Sequence, residues 1–135
     1  MQHHHIDRLR SLIIGYRLAA PDAFFAATPA ELHAIYNGIG PDRWSARFRA
    51  TVTRILRDYE PEALIHDWEY ARAPRTYRAF TAANIRFAAN AARTAKNRYG
   101  LSLCGFRHTL RGALLALICQ LFGNQAWQQS STIKG

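Results

Sequence analysis

The chain has 135 residues, 49% of them hydrophobic and 12% aromatic, enough to bury the core of one domain, so a disordered chain is excluded. It carries net charge +9, unevenly spread: residues 1–69 hold eight basic and nine acidic side chains, whereas Tyr70–Gly135 hold ten Lys or Arg and no Asp or Glu. Such a surface suits phosphate head groups, nucleic acid or an acidic protein, or is simply a solvated basic exterior. The longest apolar run, Gly112–Cys119, is too short for a membrane span, and the N-terminus shows no signal-peptide pattern. Synthesis in the cytoplasm is therefore expected. Cys104 and Cys119 make neither a disulfide framework nor a zinc site and are read as small core residues. His3-His4-His5 is assigned no function.

Helix signals dominate, and strand-like alternation is nearly absent. Ile6 to Leu18 is amphipathic, with Leu9, Leu12, Ile13 and Tyr16 on one side. Thr28-Pro29-Ala30-Glu31 joins an N-cap hydroxyl, a proline at the first helical position and a capping-box glutamate. That helix should end near Tyr36, before Asn37-Gly38-Ile39-Gly40-Pro41. Trp44, Phe48, Val52, Ile55 and Tyr59 mark another helix by their three- and four-residue steps. Pro61 and Pro74 bound a helix carrying "ALIHDWEYAR", residues 63–72. A long helix follows over about Thr76–Arg98, stopped by Gly100. The last runs from Phe106 to Phe122, with Leu110, Leu114, Leu117, Ile118 and Leu121 expected inward and Gly123-Asn124 ending it. The expected fold is all-α: a compact helical domain whose antiparallel pair (about 61–73 and 76–98) carries the site, with N- and C-terminal helices added.

On a helical wheel, Leu64, Ile65, Trp68 and Ala71 form one apolar side of the 61–73 helix. Ala63, His66, Asp67 and Tyr70 form a second sector, and Glu62 and Glu69 a strip expected to face water. The next helix sets Tyr77, Phe80, Asn84, Phe87, Ala91 and Ala95 on one face. The short Ala71–Arg75 connection makes the two helices antiparallel, so Asn84 can reach His66. Asn84 could equally satisfy some other buried group. Gly38 and Gly40 let the chain turn with carbonyls uncovered. With Asp67, such a loop is a candidate calcium site.

The combination of Tyr36-Asn37-Gly38-Ile39-Gly40-Pro41, His66-Asp67-Trp68-Glu69-Tyr70 and Ala83-Asn84-Ile85-Arg86-Phe87 resembles the phospholipase A2 superfamily. It is most similar to the compact phospholipase A2-like proteins of phages and bacterial genomes, whose tail the ending "LFGNQAW" also resembles. The similarity covers roughly residues 32–128. It suggests an N-terminal helical arm over 1–27, a phospholipase A2-like domain over 28–128 and a flexible tail over 129–135. It implies hydrolysis of a phospholipid ester, with His66 as general base. Asp67 and the carbonyls of Tyr36, Gly38 and Gly40 would hold Ca2+. The metal and the Gly38 amide would stabilise the oxyanion. Tyr70 would orient the partner of the histidine, and Tyr77 would assist.

The partner would be an anionic phospholipid or membrane surface, and a phage-associated location is one expectation. The family's aspartate partner is replaced by Asn84, which weakens the expected activity. Its cysteines are replaced by Ile39 and Ala63, as suits a reducing compartment. The alternative is a catalytically degenerate basic module binding nucleic acid, a membrane surface or an acidic protein. Arg43/Arg47/Arg54, Arg72/Arg75/Arg78 and Arg93/Lys96/Arg98 would then supply the phosphate contacts, or else be ordinary solvated faces.

Overall fold

The structure, a computed structural model, describes residues 2–36, 57–124 and 127–128. The described residues form α1 (Gln2–Gly15), α2 (Asp22–Ala26), α3 (Pro29–Ile35), a 3-10 turn (Arg57–Tyr59), α4 (Glu60–Arg72), α5 (Tyr77–Tyr99) and α6 (Leu103–Phe122). There is no strand among them, so the all-α expectation holds. The short α2 was not foreseen. The helix expected over Trp44–Tyr59 lies outside the described residues, except for Arg57–Tyr59, which form the 3-10 turn.

Local chemistry sets the helix ends. Thr28 Oγ1 accepts from the Glu31 amide at 3.1 Å, and Glu31 Oε2 accepts from the Thr28 amide at 3.1 Å, which is the expected capping box. Thr76 and Ser102 cap α5 and α6 with their hydroxyls alone, accepting from the amides of Ala79 and Gly105. Gly100 takes φ +62° at the end of α5, where a side chain would be strained. After α1 the Leu18 amide reaches the Ile13 carbonyl at 3.0 Å. This closure puts Arg17 in the left-handed region at φ 56°.

α1, α2, α3 and α4 share one core. Ile6, Leu9, Ile13, Phe24, Leu32, Leu64 and Ile65 are all almost fully buried there, with Trp68 at its edge. Each such side chain contributes about 1.5–3 kcal/mol relative to exposure. Asn90 ties α5 to this unit. Its Oδ1 accepts from the Ala19 amide and its Nδ2 donates to the Ala19 carbonyl, both at 2.8 Å.

α4 and α5 run antiparallel. Moving along α4 from Tyr70 to His66 to Glu62, the residues met on α5 advance from Phe80 to Asn84 to Thr94. Polar side chains of α5 cover the side of α4 that was expected to face water. Arg86 pairs with Glu69, and Thr94 lies beside Glu62, so both glutamates are buried. The carboxylate at Glu69 has its cation, whereas Glu62 is buried beside the hydroxyl of Thr94 with no ion pair to a cation among the described residues.

α6 packs antiparallel on α5 through its smallest residues. Gly105, Gly112 and Ala116 are buried with His108, and an added Cβ at Gly112 would come within 2.4 Å of the Ala91 Cβ. The expected inward set of α6 is therefore corrected: Leu110, Leu114, Leu117, Ile118 and Leu121 are 49–64% exposed. Backbones that approach this closely leave room for glycine and alanine, and the large residues are turned outward. Cys104 is likewise exposed, not a core residue, while Cys119 is half-buried.

Candidate functional site

α4 presents His66 toward α5, and Asn84 meets it: His66 Nε2 and Asn84 Oδ1 are 2.8 Å apart. Asn84 is buried, and its Nδ2 donates to Gln120 Oε1 on α6 at 2.8 Å. Gln120 Nε2 in turn donates to the hydroxyls of Tyr77 and Thr81, each at 2.9 Å. As the two amides are assigned, the Asn84 nitrogen is committed to Gln120 and its oxygen faces the ring, an arrangement that places the imidazole proton on Nε2 and the lone pair on Nδ1.

Aromatic rings hold the imidazole. Tyr70, one turn along α4, packs against it at 4.6 Å between centroids, and Phe87 meets it edge-on at 5.5 Å. Burial lowers the His66 pKa from 6.5 to about 4, the Asn84 bond opposing this only in part. The group is thus neutral at pH 7, able to accept a proton but a weak base.

Tyr70 is itself seated by Trp127, whose ring stands edge-to-face at 4.8 Å. Arg75 secures that arrangement. Its guanidinium donates to the carbonyls of Tyr70 at 2.6 Å and Trp127 at 2.7 Å, and lies 4.4 Å over the Trp127 ring. Of the expected phosphate-binding cluster Arg72/Arg75/Arg78, Arg75 is thereby occupied inside the molecule, whereas Arg72 and Arg78 are exposed.

Asp67 is half-buried beside the histidine. Its charge is felt by Tyr36, Tyr70 and Cys119. Burial raises the pKa of all three, and the Asp67 charge adds to the rise. The Cys119 thiol is pushed up to about 11 and is no nucleophile at neutral pH. The Tyr36 hydroxyl donates to Glu60 Oε1 at 3.3 Å. Gly38 and Gly40, expected to complete a calcium loop, lie outside the described residues, as do Arg43, Arg47 and Arg54. Among the described residues no group of three or more His, Cys, Asp or Glu gathers.

The structure thus joins His66, Asn84, Tyr70 and, two hydrogen bonds from Asn84, Tyr77, which is 60% exposed. It adds Gln120, which the sequence reading missed. The signal was present: Gln120 is the one amide in the run Gly112–Phe122, and a polar residue among aliphatics calls for a partner. No family model, curated protein or solved structure matches the chain.

Proposed function

We propose that the chain is a phospholipase A2-like hydrolase in which His66 takes a proton from the water that attacks a phospholipid ester. The observation that carries this is the 2.8 Å contact between His66 Nε2 and Asn84 Oδ1. It orients the ring and directs the Nδ1 lone pair to the incoming proton. Gln120 holds the Asn84 amide in register, and Tyr70 and Phe87 fix the plane of the imidazole. Asn84 supplies orientation but no charge to balance the imidazolium, so turnover is slow.

The test is release of fatty acid from phospholipid vesicles by the full chain, with and without millimolar calcium. His66→Gln is expected to lower the rate at least about a hundredfold, the lower range for a general base. Absence of hydrolysis by both the native chain and Asn84→Asp, under either condition, would overturn the proposal. A second reading, an anion-binding module without hydrolysis, is favoured by Arg93, Lys96 and Arg98, which are all exposed near the end of α5.

A further inference from the structure

α6 carries its hydrophobicity on the wrong side for a core helix. Phe106, Leu110, Leu114, Leu117 and Leu121 follow one another by steps of four, four, three and four, which sets them on one stripe. Their exposures run from 49% to 65%, and Ile118 beside them is 51% exposed. At 1.5 Å per residue the stripe is about 22 Å long. Soluble monomers seldom leave so continuous an apolar surface uncovered. The opposite face of the helix is spent on α5, through Gly105, Gly112 and Ala116, so the helix cannot rotate to bury the stripe without separating that contact.

Charge indicates what covers it. Arg107 and Arg111 are exposed on α6 alongside the stripe, and α6 contains no Asp or Glu. The entire stretch Tyr70–Gly135 contains none either. A second copy of the chain would bring two such basic halves together. An anionic bilayer offers an apolar layer and negative head groups at once, and requires no matching relief. No helix among the described residues is long and apolar enough to cross a membrane. The fitting arrangement is a helix lying along the interface, with its apolar face among the upper acyl chains and arginines at the head groups.

We infer that the outward face of α6, from Phe106 to Leu121 with Arg107 and Arg111, docks on an anionic lipid surface. The docking rests on α6 alone and is independent of the chemistry proposed for His66.

The experiment is co-flotation of the full chain with vesicles of phosphatidylglycerol or of phosphatidylcholine. Binding is expected to the first and at least about tenfold weaker to the second. It should weaken as salt rises from about 0.1 M to about 1 M, which shortens the screening length from about 10 Å to about 3 Å. Leu114→Asp with Leu117→Asp is expected to abolish binding while leaving Tm unchanged. Arg107→Glu with Arg111→Glu should weaken it at low salt. Ile14→Asp, at a 64% exposed position on α1, and His66→Gln should bind as the native chain does. The inference is overturned by absence of native binding to phosphatidylglycerol, or by undiminished binding of the Leu114/Leu117 variant. A lowered Tm in that variant would also overturn it, since the stripe would then be covered within the chain. So would a native dimer that this variant dissociates, which would make a second copy the occupant. Hydrolysis lost in His66→Gln with binding retained would separate the two proposals.

Discussion

Asn84 orients His66 with an amide where a carboxylate would also supply charge. The difference is measurable because burial already holds the imidazole at about 4. In Asn84→Asp the added negative charge favours the protonated ring and raises its pKa toward neutrality. Ester hydrolysis is then expected to increase by about tenfold or more, within the range of general-base effects. Its rate should also acquire a rising pH limb near neutrality, absent in the native chain. A pH–rate profile of the two proteins checks both outcomes.

Glu62 poses the opposite problem on the same helix. Burial raises it from 4.5 to about 7, with Thr94 and Arg98 offsetting only part of the rise. Its pKa is higher folded than unfolded. Its contribution to stability is therefore complete below about pH 4.5 and lost as pH rises through about 7. His66 is lowered when folded, so its contribution is present above about pH 6.5 and lost as pH falls through about 4. The two slopes oppose one another across mildly acidic pH. Glu62→Gln should expose the His66 slope. The variant is expected to be more stable than the native chain at pH 8, by up to about 3 kcal/mol at about 1.4 kcal/mol per unit. The gap should close by pH 4.5. Urea unfolding at both pH values measures it, and a variant less stable at pH 8 would contradict the assignment.

At the scale of elements, the contact between α5 and α6 is decided by glycine. Gly112→Ala places a methyl group 2.4 Å from the Ala91 Cβ, so the helices must separate. A loss of about 1–3 kcal/mol is expected, as for other overpacked contacts. Gly15→Ala is the control: nothing lies within 4 Å of its added Cβ. It should be neutral or gain up to about 1 kcal/mol from the stiffer chain. Chemical denaturation of the pair checks the contrast. The existence of α6 was legible from its spacing, but its orientation was not. A helix with large residues on one side and glycines on the other ordinarily buries the large ones. Here Gly105 and Gly112 match Ala95 and Ala91 of α5 respectively, and the close approach of small faces sets the rotation.

Across the whole molecule, charge is segregated along the chain. α5 and α6 pack together with no carboxylate of their own, and the negative partner Arg86 finds is Glu69 on α4. The chain carries +9 overall, so self-repulsion opposes folding at low ionic strength. Raising salt from about 0.01 M to about 0.15 M shortens the screening length from about 30 Å to about 8 Å. Tm is expected to rise with it. A fall would mean that ion pairs such as Arg86–Glu69 outweigh the repulsion.

What the sequence determined by itself is what short-range chemistry controls. The capping box at Thr28, the cap at Thr76, the stop at Gly100 and the alignment of His66 with Asn84 each depend on residues a few positions apart or on one short connection. The tertiary structure alone decided the rest: the burial of Glu62 and Glu69 under α5, the place of Gln120 behind Asn84, and the outward turn of the α6 leucines. Those outcomes depend on how closely two helices approach. That distance is set jointly by side-chain volumes on both partners, and no pattern within one helix specifies it.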